Sequence, residues 1–103
     1  IPPNALSNYY KYVAILDSHI RRDDIKQKLK GEGVRCGGEV YWPPLHLQPL
    51  YQRILGTRKG DFPNAEAVCK QMICPPVYVS ISDDEVRYVV EKFKETLAEV
   101  SRW

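Results

Sequence analysis

The sequence predicts an α+β fold of two layers, a small, mostly antiparallel sheet covered by helices, with a long amphipathic helix at the C-terminal end. Three observations carry this expectation. Residues 9–16 are rich in aromatic and β-branched side chains, as strands are. Residues 82–102 hold the longest helical apolar stripe of the chain. Between them, short helical and short extended patterns alternate, separated by glycine and proline. The 103 residues suit one domain with one modest core.

Taken in order, the chain opens with a lead-in containing Pro2 and Pro3, then Tyr9-Tyr10-Lys11-Tyr12-Val13-Ala14-Ile15-Leu16. Apart from Lys11 both alternating sets of this strand are apolar, which predicts cover on both faces. Residues 17–22 are polar and turn the chain. Residues 23–30 read as a short helix: Ile25 and Leu29 share a face, acids lie at its start and Lys28 and Lys30 at its end, as the helix dipole favours. Gly31 or Gly33 ends it. A second strand is expected over 34–41, interrupted at Gly37-Gly38.

Residues 49–55 suit a turn or two of helix, and Gly56 to Gly60 a basic turn. Asp61-Phe62-Pro63 then leads into a helix whose apolar face is Ala65, Val68, Cys69 and Met72. Pro75-Pro76 stops it, and Val77-Tyr78-Val79 is expected to be extended. Ser82 and Glu85 have the spacing of a capping box, with Ile81 and Val86 placed for a hydrophobic staple. Val86, Val89, Val90, Phe93, Leu97 and Val100 form the stripe that should lie on the sheet.

Composition excludes some classes. With 44% hydrophobic and 27% charged residues the chain has an ordinary globular balance, and no apolar run is long enough to span a membrane. A net charge of +2 with acids and bases interspersed argues against nucleic acid as the partner. The first residues show no basic region followed by an apolar one, so no signal peptide is read. The absent initiator Met fits a processed chain or a piece of a longer one. Cys36, Cys69 and Cys74 are odd in number and lack metal-site spacing; they suggest a reduced, cytoplasmic protein, with Cys69 as a small buried hydrophobe.

The functional weight falls on Val40-Tyr41-Trp42-Pro43-Pro44-Leu45-His46-Leu47-Gln48-Pro49-Leu50-Tyr51. Its three prolines rule out a regular helix or a central strand, leaving a rigid, shaped loop of the kind that carries binding groups. His46 can contact a substrate or a cofactor phosphate, or it can brace the loop by hydrogen-bonding backbone carbonyls, and bracing is the first choice. Tyr9 and Tyr10 can offer hydroxyls to a ligand or sit in the sheet with their hydroxyls in water. Lys11 can meet an anion or snorkel at an edge. Asp83-Asp84-Glu85 is explained by the helix dipole without a metal. No catalytic and no metal-ligating residue is assigned.

The run Tyr41-x-Pro43-Pro44-Leu45-His46-Leu47-Gln48-Pro49-x-Tyr51, then Gly60-Asp61-Phe62-Pro63-Asn64-Ala65-Glu66, then Ser82-Asp83-Asp84-Glu85-Val86, resembles the C-terminal part of the DegT/DnrJ/EryC1/StrS aminotransferases. Tyr9-Tyr10-Lys11-Tyr12 is similar to that family's first small-domain strand, and Gly33-Val34 fits the approach to the loop. A His common in the family near Glu39 or Val40 has no counterpart here, and Cys74-Pro75-Pro76 stands where Ser-Leu-Pro is usual.

The resemblance implies a C-terminal small domain that packs on a large domain of the same chain, in a homodimer. In the family that large domain holds pyridoxal phosphate and the lysine that bonds to it, and the whole enzyme moves an amino group from glutamate to a nucleotide-linked keto-sugar. It implies that this stretch binds no cofactor itself, is inactive alone, and offers Tyr10, Tyr9, Tyr41, His46 and Lys11 to the substrate. A different class stays open on the residues alone, a free-standing α+β module for a small ligand or RNA, with Tyr9-Tyr10-Lys11-Tyr12 as a stacking strand.

Overall fold

The computed structural model describes residues 1–37 and 42–101. Tyr41 and the end of the expected second strand lie outside them. The elements are β1 (Ala14–Ile15), α1 (Arg22–Gly31), a 3-10 turn (Leu45–Leu47), α2 (Pro49–Leu55), α3 (Pro63–Gln71), β2 (Met72–Ile73) and α4 (Asp83–Val100). The layout is the expected α+β one: β1 and β2 pair antiparallel, Ala14 opposite Ile73 and Ile15 opposite Met72, and α4 lies over the cluster they help to form.

A ladder of two residues per strand contributes little burial by itself. The core is completed by α1, whose Ile25 and Leu29 are fully buried among Leu16, Val34, Cys36 and Ile73. Val89, Phe93, Leu97 and Val100 of α4 pack against that cluster. These four sit on the predicted stripe and cover one side of the core. Polar contacts at the margin fix α1 against α4: Lys28 Nζ lies 2.7 Å from Glu99 Oε2, and Tyr88 donates its hydroxyl to the Glu32 carbonyl at 2.9 Å.

The helix ends follow local chemistry. Gly33 ends α1, adopting a φ of 77°. The Val34 N–H donates to the Leu29 carbonyl at 2.8 Å and the Gly33 N–H to that of Lys30 at 3.1 Å, the crossed pair of a Schellman motif, with Val34 and Leu29 meeting in the core. Proline is the first residue of both α2 and α3, where its missing N–H costs nothing. At α4 the Ser82 hydroxyl accepts from the Glu85 N–H at 3.2 Å while the Ser82 N–H donates to the Glu85 carboxylate at 2.8 Å, a complete capping box.

Five expectations are corrected. The strand over 9–16 shrinks to Ala14–Ile15, because β2 offers only two residues to pair with. It is also not covered on both faces, since Tyr9, Tyr10, Tyr12, Val13 and Ile15 are exposed. Residues 34–37 do not form a strand. The extended partner is Met72–Ile73 rather than Val77-Tyr78-Val79, as α3 ends one turn earlier than Pro75 requires. The apolar face of α3 is largely uncovered: Val68 is exposed and Cys69 half-buried, while Cys36 and Cys74 are the buried thiols. All three cysteines are free, and burial pushes the Cys36 thiol above its ordinary pKa.

Replacing Ser82 by alanine removes one arm of the capping box and should lower stability by about 1 kcal/mol, read as a lower urea midpoint at unchanged slope. Ile25→Ala should cost about 2–5 kcal/mol, because its site is closed on all sides.

Candidate functional site

The proline-rich stretch is shaped by what each residue forbids. Pro44, fully buried, sits in an extended conformation and turns the chain into the Leu45–Leu47 3-10 turn. Pro49 then starts α2, and Gly56, at a φ of 67°, ends it in the left-handed region. The chain returns beside its own start through Thr57 to Asp61. The Arg58 N–H donates to the Asp61 carboxylate at 2.9 Å, and the Asp61 N–H to the Arg58 carbonyl at 3.2 Å.

This path brings His46 to Glu66. The His46 Nε2 lies 3.0 Å from Glu66 Oε1, with side-chain exposures of 7% and 12%. The same carboxylate oxygen accepts the Gly60 N–H at 2.7 Å. The Phe62 ring lies against the imidazole, centroids 4.9 Å apart and planes tilted by 55°. The Thr57 hydroxyl donates to the His46 carbonyl at 2.7 Å. Three stretches separated in sequence are thus tied together at one histidine. The Gly60 N–H, and after it the His46 side chain, hold the Glu66 carboxyl below its ordinary pKa of 4.5.

Such a pair can store or pass a proton, but here the imidazole is buried and its Nε2 already engaged. What the loop turns outward is Trp42, Leu45 and Leu50, each at least half exposed. The arrangement therefore suits bracing, through a carboxylate rather than through backbone carbonyls. Glu66 closes the Gly60-Asp61-Phe62-Pro63-Asn64-Ala65-Glu66 motif, whose pattern gives it no role by itself. Its position in the first turn of α3, where a carboxylate reaches free backbone N–H groups, was the available signal.

The other candidates lie on the lead-in. Tyr9 and Tyr10 are 60% and 68% exposed, and Tyr9 has a φ of 50°. Their backbone N–H groups donate to the side chains of Ser7 and Asn8. The Lys11 ammonium sits 5.5 Å from the centre of the Tyr10 ring, a cation–π distance. The structure thus joins Tyr10 to Lys11 and His46 to Glu66, while Tyr41 is outside the described residues. The His46 partners, Glu66, Phe62 and Thr57, all come from the loop and α3 side. β2, which pairs with β1, is Met-Ile and offers no aromatic or basic side chain, so the two-strand stacking platform of an RNA module is not built from this ladder.

Trp42 has a partner unforeseen in the sequence. The Arg22 guanidinium lies 5.2 Å from the centre of its ring and donates to the Cys69 carbonyl, tying α1 to the loop and to α3. Asp83, Asp84 and Glu85 occupy the first turn of α4, with Glu85 in the capping box. Among the described residues no cluster of His, Cys, Asp and Glu is placed to hold a metal ion, and no described helix is long and apolar enough to cross a membrane.

Comparison with known proteins gives consistent matches. The profile of the DegT/DnrJ/EryC1/StrS aminotransferase family matches residues 2–94. An uncharacterized protein, MJ1066 of Methanocaldococcus jannaschii, is 40% identical over 78% of this chain and 20% of its own. The dTDP-4-dehydro-2,3,6-trideoxy-D-glucose 4-aminotransferase of Saccharopolyspora spinosa is 29% identical over 94% of this chain and 23% of its own. The crystal structure of the aminotransferase TlmJ from Streptoalloteichus hindustanus superposes with a TM-score of 0.78 at 28% identity, covering 95% of this chain and 24% of that one. The chain therefore spans about a quarter or less of the length of each of these relatives.

The His46–Glu66 pair makes an acid-sensitive contribution to stability. A carboxylate whose folded pKa lies below 4.5 stabilises the fold above that value and loses its contribution as pH falls through the depressed pKa. Glu66→Gln should flatten the acid limb of a plot of stability against pH below about 4.5, measured by urea unfolding across pH. An unchanged limb would show that the pair carries no such linkage.

Proposed function

The chain belongs to the DegT/DnrJ/EryC1/StrS aminotransferase family, and from that premise we propose that it is the C-terminal small domain of a pyridoxal-phosphate-dependent sugar aminotransferase. The observation that carries this reading is the joint one of extent: the family profile runs over residues 2–94, yet the chain amounts to only 20–24% of its relatives. The proposed whole protein is a cytoplasmic homodimer that transfers an amino group from glutamate to a keto-sugar joined to a nucleotide.

The apolar groove between β1 and α4 does not fit the cofactor itself. Pyridoxal phosphate needs an amine to bond its aldehyde, an acid beside its ring nitrogen and a cradle for its phosphate. The lining of that groove includes Lys94 and no carboxylate. The best-buried carboxylate described, Glu66, is committed to His46 and Gly60. In this reading cofactor chemistry belongs to the rest of the protein, and no step is routed through these residues.

Their part is to shape and hold one wall. His46 is a positioning residue: tied to Glu66, it fixes the turn that presents Trp42 and Leu45. Tyr9, Tyr10 and Lys11, with Tyr41, supply hydroxyls and a positive charge of the kind that a nucleotide sugar's hydroxyls and diphosphate would meet. The exposure of Tyr9 and Tyr10, and the Lys11–Tyr10 pairing, support this placement.

The full-length protein should bind pyridoxal phosphate at one per chain, with the visible absorbance of a protein-bound cofactor, and should aminate a nucleotide-linked keto-sugar with glutamate as donor. Residues 1–103 alone should show neither. A stoichiometric cofactor band from the 103-residue chain would overturn the assignment.

A further inference from the structure

Where Arg22 meets Trp42 the chain closes around a cavity of about 320 Å³, at the low end of the size that holds a small organic ligand. Its lining combines two unlike features. One is an aromatic wall. The Arg22 guanidinium lies over the Trp42 ring, 5.2 Å from its centre; Arg22 is buried and donates to the Cys69 carbonyl. The indole is thereby held in place, yet half of Trp42 stays open to water, and it borders the cavity.

The other feature is charge. Among the described residues Arg21, Arg22 and Lys70 line the cavity against one carboxylate, Asp23, which lies 3.5 Å from the Arg22 Nε. Arg21 and Lys70 are exposed, one just ahead of α1 and the other in the last turn of α3. The contact of Arg21 with Asp24 is long, at 3.6 Å, and solvated, so it contributes little and leaves guanidinium donors over. The cavity lies at the Met72 end of the ladder: the Leu16 N–H donates to the Gln71 carbonyl at 2.9 Å, and Ser18 and Gln71 belong to the lining. Tyr9, Tyr10 and Lys11 leave the ladder at its other end, beyond the Ala14–Ile73 pair. The cavity is therefore separate from the Tyr9–Lys11 surface.

We infer that this cavity binds a small planar ring carrying phosphate, of the class of a nucleoside monophosphate. The base stacks on the braced indole, and the phosphate meets Arg21 and Lys70. Each half of such a ligand answers one feature of the lining. A bare anion makes no use of the indole, and an uncharged ring leaves the cations facing a single acid. The inference stands apart from the aminotransferase reading, and neither falls with the other.

The test uses the full-length protein labelled with fluorotryptophan, in which the fluorine resonance that disappears in Trp42→Phe reports on residue 42. Adenosine monophosphate should shift that resonance saturably, with a Kd below about 1 mM. Adenosine should bind about tenfold more weakly, and the double variant Arg21→Ala with Lys70→Ala should lose that preference while keeping the shift. Arg22→Lys retains the charge but not the plane that holds the indole, and it should weaken nucleotide and nucleoside alike. Inorganic phosphate alone should leave the resonance in place. No shift up to about 10 mM nucleotide, or equal affinity for adenosine and its monophosphate, would overturn the inference. So would phosphate acting as strongly as the nucleotide, since that requires no stacking. An oligoadenylate binding about a hundredfold more tightly than the mononucleotide would give the site to a nucleic-acid strand and overturn it equally. The readout is local to residue 42, so a nucleotide bound elsewhere in the protein does not enter it.

Discussion

Burial of Ile25 and Leu29 against Leu16 and Ile73 is the contact on which the rest of this fold depends. The sheet has only two residues per strand, so it cannot organise a core through its own ladder. It becomes stable because α1 closes one side and the Val89–Val100 stripe of α4 covers the cluster from another. The Schellman turn at Gly33 matters for the same reason. It returns the chain at the height of Leu29, so that Val34 and Cys36 enter the cluster instead of running past it.

Helices were the legible part of the sequence. α4 was readable to within a residue or two because its capping box, first-turn acids and apolar stripe agree. α1 was readable from Ile25, Leu29 and the polarity of its charges. The strands were not. Tyr9-Tyr10-Lys11-Tyr12 has the composition of a strand, but β-propensity measures fit to a half-buried surface, and among the described residues no second strand provides one at those positions. The α3 stripe misled for a related reason: periodicity identifies which side chains share a face, not whether anything covers it.

The candidate site divides in the same way. That the proline-rich stretch forms a rigid loop followed from its prolines, and that His46 braces it was the favoured reading. Its partner could not be read from spacing, because Glu66 lies twenty residues away and reaches His46 only through the turns at Gly56 and Gly60. Exposed tyrosines beside Lys11 and a locked His46 describe a chain that presents surfaces while its best polar pair is turned inward.

Arg22 has a consequence of its own. A flat, permanently charged group lies over the indole of Trp42 and donates to the carbonyl at Cys69, and it belongs to the helix that anchors the core. Any sliding of that helix would drag the indole with it, so the mouth of the loop is geared to the interior. A lysine there would preserve the charge and lose the gearing, since an ammonium has no plane to stack.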